Sequence, residues 1–246
     1  MNYPLLSRER LKYLMSLGRK KERLETGQVI VEGANILEQL VGNALLPLEV
    51  YLEGDFPLLQ GLGDLPVFKL QKGDMERISD TNHPQGIAAL YPVPRPRDAS
   101  FKAALYLDGI SDPGNMGTIF RIAAAFGIGA ILLSDTCVEI SSPKVIRASL
   151  GSVYWLPYRV LPPNLLIKQQ LPLVCLEMKA DTELKDYLPA PEPTVYVIGS
   201  EAHGISPELL KASAGSLRIA MQPQMESLNA AVATGILAHH LYVSDQ

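Results

Sequence analysis

The chain is poor in several features that mark particular protein classes. Its 246 residues include two cysteines, four histidines and one tryptophan. The cysteines, Cys137 and Cys175, lie in apolar surroundings and form no CxxC pair, which excludes a disulfide scaffold, and we interpret both as reduced, buried thiols. The histidines show neither HExxH nor Cys/His spacing, so we predict no metal site.

Long apolar runs are also missing. No stretch approaches the roughly 18 to 20 residues that cross a bilayer, and the start MNYPLLSRERLK has no apolar segment behind basic residues. We therefore expect a cytoplasmic protein with no membrane role. A composition of 47% hydrophobic and 20% charged residues is ordinary for a globular chain and excludes a disordered or fibrous one.

Positive charge is scarce overall but concentrated near the N-terminus. The formal net charge is -4, yet residues 7–23 carry seven basic and two acidic side chains. The basic residues are Arg8, Arg10, Lys12, Arg19, Lys20, Lys21 and Arg23. A basic segment on an otherwise acidic chain suits local phosphate contacts. The alternative is a solvated amphipathic helix that packs its leucines inward.

A proline-rich connector, PVPRPRDAS at residues 92–100, divides the chain. We predict a small α/β domain over residues 1–93, a linker over 94–100 and a second domain over 101–246. In the second domain, strand-like runs alternate with helical stretches, a pattern typical of a mainly parallel sheet covered by helices.

Periodicity and turn residues predict the individual elements. In the first part we predict helices at 7–18, 33–42 and 72–79, and strands at 28–32, 48–52, 66–70 and 86–91. In the second part we predict a strand at 104–108, a loop, a helix at 117–126 and a final helix at 227–243 with Ser227 as its N-cap. The runs GAILLS, VYWLPY, PLVCLEM, TVYVIGS and SLRIAM read as further strands.

Three segments of the second part carry the candidate chemistry. The first, GISDPGNMG, lacks the spacing of a dinucleotide fingerprint and is not followed by Gly-Lys-Ser/Thr, so we do not expect a nucleotide polyphosphate there. Asn115 and Arg121 lie six residues apart and could converge on one anion or hydroxyl if the loop turns. The others are VIGSEAHGIS and IAMQPQMESLNAAVATGIL.

Together the three segments resemble the SpoU family of the SPOUT RNA ribose methyltransferases. Asn115, Gly117 and Arg121 match its first motif. The second motif is matched by Gly199, Ser200, Glu201 and Gly204, and the third by Glu226, Ser227, Leu228 and Asn229. The N-terminal part, through QVIVEGANILEQL and ISDTNHPQGIAAL, resembles the substrate-binding domain that usually precedes these enzymes. Departures are Ala202, His203 and Ala220.

The resemblance implies an α/β fold whose C-terminal domain has a parallel sheet and a deep trefoil knot, preceded by a small α/β, ribosomal-protein-like substrate-binding domain. It implies a homodimer and S-adenosylmethionine as methyl donor. The cofactor residues would be Gly199, Ser200, Glu201, Gly204, Ile219, Met221, Ser227 and Leu228. The adenine would be held mainly by backbone groups.

The resemblance also assigns catalytic roles. Arg121 would hold an RNA phosphate and stabilise negative charge on the attacking oxygen, or act as the base. Asn115 and Asn229 would orient the hydroxyl or Arg121, and Glu201 and Ser227 would fix the arginine and the cofactor rim. Structural alternatives are a turn at Asn115, a surface ion pair at Glu201 and helix capping by Ser227 or Asn229. Arg147 could reach RNA phosphate, or it could have a dimer-face or surface role.

The expected reaction is methylation of a ribose 2′-hydroxyl in structured RNA, with ribosomal RNA favoured over transfer RNA by the two-domain build. One alternative is a relative that binds RNA without catalysis. A nucleotide-binding oxidoreductase is disfavoured because no GxGxxG segment is present.

Overall fold

The structure, a computed structural model, describes residues 3–244, which form two compact units. The first unit runs to Pro94 and includes the later segment Ile140–Gly151, and the second comprises Arg95–Glu139 and the chain from Ser152 onward. Ile140–Gly151 belongs by its contacts to the first unit, although in the sequence it lies among the elements of the second. The mixed α/β class predicted from the sequence is confirmed.

The first unit is a four-stranded sheet with helices. Its elements are α1 (Arg8–Ser16), α2 (Lys20–Thr26), β1 (Gln28–Glu32), α3 (Ala34–Gly42), β2 (Glu49–Glu53), β3 (Val67–Leu70), α4 (Asp74–Ile78), β4 (Ile87–Pro92) and, from the later segment, α6 (Pro143–Ala148). The strand order is β1-β4-β2-β3, with β4 antiparallel to both its neighbours and β2 parallel to β3. Leu14, Tyr51, Met75 and Leu90 pack into one of its hydrophobic clusters.

The basic N-terminal segment forms two helices, of which the first corresponds to the helix predicted at 7–18 and the second is not predicted. α1 ends at Ser16, a turn follows, and α2 forms a second helix. Arg23 is 4% exposed and donates from Nη1 to the carbonyl oxygens of Leu17 and Gly18, at 3.0 and 2.8 Å. This guanidinium therefore satisfies carbonyl groups that the end of α1 leaves unpaired.

Three other basic side chains of this segment also have acidic partners. Arg10 pairs with Glu49, Arg19 with Glu22 and Lys21 with Glu25. Among the described residues, Arg8, Lys12 and Lys20 have no such partner, and all three are exposed. The charge free to meet a phosphate is therefore smaller than the composition indicates.

The second unit is built on a seven-stranded, entirely parallel sheet. Its elements are β5 (Ala103–Asp108), α5 (Pro113–Ala125), β6 (Ala130–Leu133), β7 (Tyr158–Val160), α7 (Pro163–Ile167), β8 (Leu173–Leu176), β9 (Thr182–Glu183), β10 (Thr194–Gly199), α8 (Pro207–Ala212), β11 (Gly215–Arg218) and α9 (Ala230–Ser244). The strand order is β7-β6-β5-β10-β8-β11-β9. All carboxyl ends therefore lie along one edge, which is where α/β sheets bind ligands.

Two local predictions for this unit are wrong. The run VYWLPY, residues 153–158, is not a strand, since residues 152–154 form a 3-10 turn and only Tyr158 enters β7. The turn is closed by the bond from Trp155 N to Ser152 O, and Pro157 has no N–H to offer a ladder. The run is apolar because Val153 and Leu156 are buried rather than because it is extended.

The helix predicted at 117–126 begins four residues earlier, at Pro113. Asp112 caps it, accepting a hydrogen bond from Asn115 N at 2.8 Å, and Pro113 occupies its first turn. Both residues favour a helix start. Asn115 therefore lies on a helix rather than in a loop.

Within residues 3–244, no helix is long and apolar enough to cross a membrane.

Candidate active site

A cavity of about 440 Å³ opens in the second unit at the carboxyl ends of β8, β10 and β11. Small-molecule sites have volumes of roughly 300 to 1,000 Å³. Apolar residues form much of the lining, among them Leu176, Ile198, Ile205, Leu210 and Ala233. All eight residues assigned to the cofactor by resemblance also line it: Gly199, Ser200, Glu201, Gly204, Ile219, Met221, Ser227 and Leu228.

The wall formed after β10 requires glycine. Ser200 and Gly204 form an antiparallel bridge, with N–H···O distances of 3.2 and 2.9 Å. This bridge brings backbone so close to Gly199 that a Cβ there would lie 2.2 Å from the carbonyl carbon of Gly204. Gly204 has a φ of +66°, a left-handed conformation that glycine adopts without strain. The Gly-Ser-Glu-x-x-Gly pattern thus folds a tight backbone wall beside the cavity.

A network of three side chains joins the three signature segments. The side-chain amide of Asn115, on α5, donates to Oε1 of Glu201, in the loop after β10. Nδ2 of Asn229 donates to Oδ1 of Asn115 at 2.9 Å. Asn115 therefore connects the other two, and its side chain reaches Glu201, which lines the cavity.

Asn229, rather than Ser227, caps the final helix. Its Oδ1 accepts from Ala231 N at 3.0 Å and from Val232 N at 3.2 Å, and α9 begins at Ala230. Ser227 lies outside the helix, in an exposed loop beside the cavity, so its predicted capping role is wrong. Asn229 performs two functions at once because its oxygen caps α9 while its amide holds Asn115.

Arg121 lies away from this network. It is on α5 with Asn115, and six helical residues at 3.6 per turn separate two side chains by about 120° around the axis. The guanidinium is exposed, and within residues 3–244 no hydrogen bond or ion pair holds it. The resemblance implies that Glu201 holds Arg121. In the structure it does not, because the Glu201 carboxylate accepts a hydrogen bond from Asn115 instead.

Arg147 belongs to the first unit. Its guanidinium donates to both carboxylate oxygens of Asp80, at 2.6 and 3.2 Å. This pairing favours a structural role over the RNA contact that the sequence left open.

The polar lining of the cavity suits a cationic cofactor without phosphate. Among the described residues that line it are the glutamates Glu177 and Glu201, with Lys179 and His203, and no arginine. The three parallel strand ends supply backbone groups, and the floor is apolar. S-adenosylmethionine, with an adenosine, a sulfonium and an amino acid, fits this donor set better than a nucleotide polyphosphate does.

Glu177 and Lys179 are cavity residues that the sequence patterns do not single out, and His203 is known from the sequence only as a departure from the family pattern. His203 stands inside the second segment, whereas Glu177 and Lys179 follow β8 and belong to none of the three segments. The one available signal was that Glu177 directly follows a strand of a parallel sheet.

Neither thiol lines the cavity. Burial raises the pKa of Cys175 to about 11, and burial also raises that of Cys137, whose Sγ donates to the carbonyl of Leu107 at 3.2 Å. Both groups stay protonated near neutral pH. Among the described residues, no group of three or more His, Cys, Asp or Glu side chains is arranged to hold a metal ion.

Comparison with known proteins places the chain. Residues 102–239 match the model of the SpoU rRNA Methylase family, and residues 8–89 match the MRM3-like substrate binding domain. The 23S rRNA (guanosine(2553)-2′-O)-methyltransferase RlmP of Bacillus subtilis is 28% identical, with 95% of this chain and 96% of that protein covered.

Two solved structures share the fold. One described as an RNA 2′-O ribose methyltransferase has a TM-score of 0.85 and 26% identity, covering 100% of this chain and 99% of its own. An AdoMet-bound rRNA methyltransferase from Sinorhizobium meliloti has a TM-score of 0.83 and 23% identity, covering 97% and 95%. The chain therefore belongs to the SpoU rRNA methylase family.

Proposed function

We propose that this protein methylates the ribose 2′-hydroxyl of a nucleotide in structured ribosomal RNA. The observation that carries the proposal is one cavity lined by the second and third signature segments, to which Asn115 of the first segment is joined through Glu201 and Asn229. Ribosomal RNA is favoured over transfer RNA because the Bacillus subtilis relative, aligned over nearly its whole length, is named for 23S rRNA.

The two domains would have separate functions. Residues 1–93 would bind RNA, 94–100 would connect, and 101–246 would carry the reaction. The match to a substrate-binding domain over residues 8–89 and the exposed, unpaired Arg8, Lys12 and Lys20 support it. Few base-specific features are needed, since structured RNA is recognised largely by shape and backbone contacts.

The cofactor would be held by the strand-end loops. Backbone groups at Gly199, Ile219, Met221 and Leu228 would bind the adenine, and Ser200, Glu201, Gly204 and Ser227 would border the rest of the cavity. When bound, S-adenosylmethionine supplies an activated methyl group. The wall that Gly199 and Gly204 form would exclude water from that side, which protects the transfer from hydrolysis.

The chain's own groups would align and activate the hydroxyl. Asn115 and Asn229 are hydrogen-bonded to each other, and Asn229 also caps α9. Their side-chain amides would therefore be oriented to bind the ribose. Arg121 would bind the adjoining phosphate and stabilise the negative charge that develops on the 2′-oxygen as its proton leaves. Its guanidinium is free to do so, since no acidic group occupies it among the described residues.

A homodimer with a knotted catalytic domain completes the proposal. α9 carries an exposed apolar stripe formed by Val232, Ile236 and Val243, with Tyr242 beside it, and 40% to 52% of each residue is exposed. A second copy is the natural cover for such a stripe. The family resemblance and the likeness to a solved RNA 2′-O ribose methyltransferase support the knot. A cytoplasmic location stays a prediction.

The test is transfer of a labelled methyl group from S-adenosylmethionine to unmodified ribosomal RNA, transfer RNA and precursor ribosomal particles. The product is mapped by the protection that a 2′-O-methyl group gives against alkaline cleavage. A protected nucleotide in ribosomal RNA, absent with Arg121→Ala, supports the proposal. Label in transfer RNA alone would contradict it, and RNA binding without any incorporation would favour the non-catalytic alternative.

A further inference from the structure

Glu177 is a carboxylate in the cavity that no signature segment explains. It follows β8, the strand between β10 and β11, and its backbone N–H donates to Leu217 O at 2.9 Å. That bond fixes the backbone beside β11. The side chain lines the cavity and is half-buried, and among residues 3–244 no hydrogen bond or ion pair involves its carboxylate. A carboxylate held in a cavity without a partner is poised to accept hydrogen bonds from a ligand.

The strand register defines which part of the cofactor Glu177 faces. Leu176 is level with Ile198 on one side and with Leu217 on the other. Glu177 follows Leu176 and is therefore level with Gly199 on one side and with Arg218 on the other. Ile219 is the residue after Arg218. Gly199 and Ile219 are two of the four positions to which the adenine is assigned. Glu177 thus lies between two of the proposed contacts of the nucleoside base.

The reacting end of the cofactor belongs on the opposite side. The Asn115–Glu201–Asn229 network centres on Asn115, which follows β5 and binds Glu201 after β10, while Asn229 comes after β11 and reaches across to Asn115. The strand order is β5-β10-β8-β11. Glu177 is thus one strand further from the methyl-transfer site than Glu201 is. It is better placed for the nucleoside than for the methionine moiety.

We propose that Glu177 binds the vicinal 2′- and 3′-hydroxyls of the cofactor's ribose and thereby helps to select S-adenosyl ligands; this rests on the proposed function. Two carboxylate oxygens match two adjacent O–H donors, and charge-assisted hydrogen bonds of this kind are the stronger ones. An acidic residue past a parallel strand performs the same task in dinucleotide-binding sheets. Glu177 is a binding residue in this role and takes no part in proton transfer.

The experiment is isothermal titration of the purified protein with S-adenosylhomocysteine, its 2′,3′-dideoxy analogue and 5′-methylthioadenosine, which lacks the amino acid. Glu177→Gln keeps the shape and removes the charge. Glu192→Gln is the matched control, because Glu192 is an exposed glutamate of the same unit that precedes β10, at the opposite edge of the sheet. Thermal unfolding verifies that each variant folds.

We expect Glu177→Gln to weaken the binding of S-adenosylhomocysteine and of 5′-methylthioadenosine by the same factor, about tenfold to a hundredfold. The dideoxy analogue should bind wild type and variant alike. An unchanged dissociation constant, an equal loss with the dideoxy analogue, or a loss confined to the ligand with an amino acid would each overturn the proposal. The ratio of the dissociation constants of two ligands for one protein does not depend on any unfolded fraction. The measurement does not require methyl transfer to RNA.

Discussion

Nδ2 of Asn229 donates to Oδ1 of Asn115 at 2.9 Å, joining two signature segments that lie far apart in the sequence. The Oδ1 of the same Asn229 accepts from two N–H groups at the start of α9. The two ends of one amide therefore serve different purposes, one structural and one at the site. Substitutions at Asn229 can therefore separate its capping role from its role at the site.

Asn229→Asp and Asn229→Ala should separate those two purposes. Aspartate also caps helices, so the free energy of unfolding of Asn229→Asp should lie within about 0.5 kcal/mol of the wild-type value. Asn229→Ala should lower the free energy of unfolding by about 1 kcal/mol. Both variants lose the amide donor to Asn115, so both should lose most methyl transfer. Thermal unfolding and single-turnover methylation measure the two effects. Full activity in Asn229→Asp would show that Asn115 needs no support from this side.

Arg121→Ala should lower methyl transfer by about a hundredfold to a thousandfold, as removal of an oxyanion-stabilising donor does elsewhere. Because no partner holds Arg121 within the described chain, neither the melting temperature nor the affinity for S-adenosylhomocysteine should change. The matched control is Arg95→Ala, since Arg95 is also exposed and, among the described residues, unpaired in the second unit. Unchanged activity in Arg121→Ala would remove the residue from the mechanism.

Gly199→Ala should disrupt the cavity wall. The added Cβ would lie 2.2 Å from the carbonyl carbon of Gly204 and 2.4 Å from its oxygen, and backbone cannot yield as a flexible side chain can. A cost of about 1 to 3 kcal/mol, with loss of cofactor binding, is expected. Gly42→Ala, at the end of α3 with nothing within 4 Å, should leave stability unchanged or raise it slightly. Denaturant unfolding and calorimetric titration compare the two.

Arg8, Lys12 and Lys20 should account for the phosphate contacts of the basic segment. Replacing all three by alanine should weaken RNA binding and lower the slope of its salt dependence by about one unit for each phosphate that is no longer neutralised. Lys185→Ala is the control, because that ammonium already pairs with Glu183 at 2.7 Å. Filter binding across a salt series gives the slopes. If the triple variant keeps the wild-type slope, the segment is merely solvated.

The thiol of Cys175 should resist alkylation in the native protein. Its pKa is raised to about 11 by burial, so at a pH of about 8 almost no thiolate is present, and the side chain is buried as well. Iodoacetamide at that pH should label Cys175 only when denaturant is added, as mass spectrometry of the peptides would show. Rapid native labelling would indicate local opening around β8.

Local signals determined much of this fold. The strand at Gln28–Glu32 is where the apolar run between Gly27 and Gly33 puts it, and β10 follows its run equally well. Such segments are fixed by neighbours in sequence, through side-chain period and turn residues. Asp112 and Pro113 are equally visible signals for the start of α5, and the loop predicted there is wrong.

The sequence alone determined the class, the family resemblance and eight of the residues that line the cavity, because motif residues and periodicity are local properties of the chain. Only the tertiary structure decided that Ile140–Gly151 packs with the first unit, that Glu201 binds Asn115 rather than Arg121, and that Glu177 enters the cavity. Each of these depends on which distant strands and helices lie side by side. Register and packing fix those neighbours, and no short window of sequence records them.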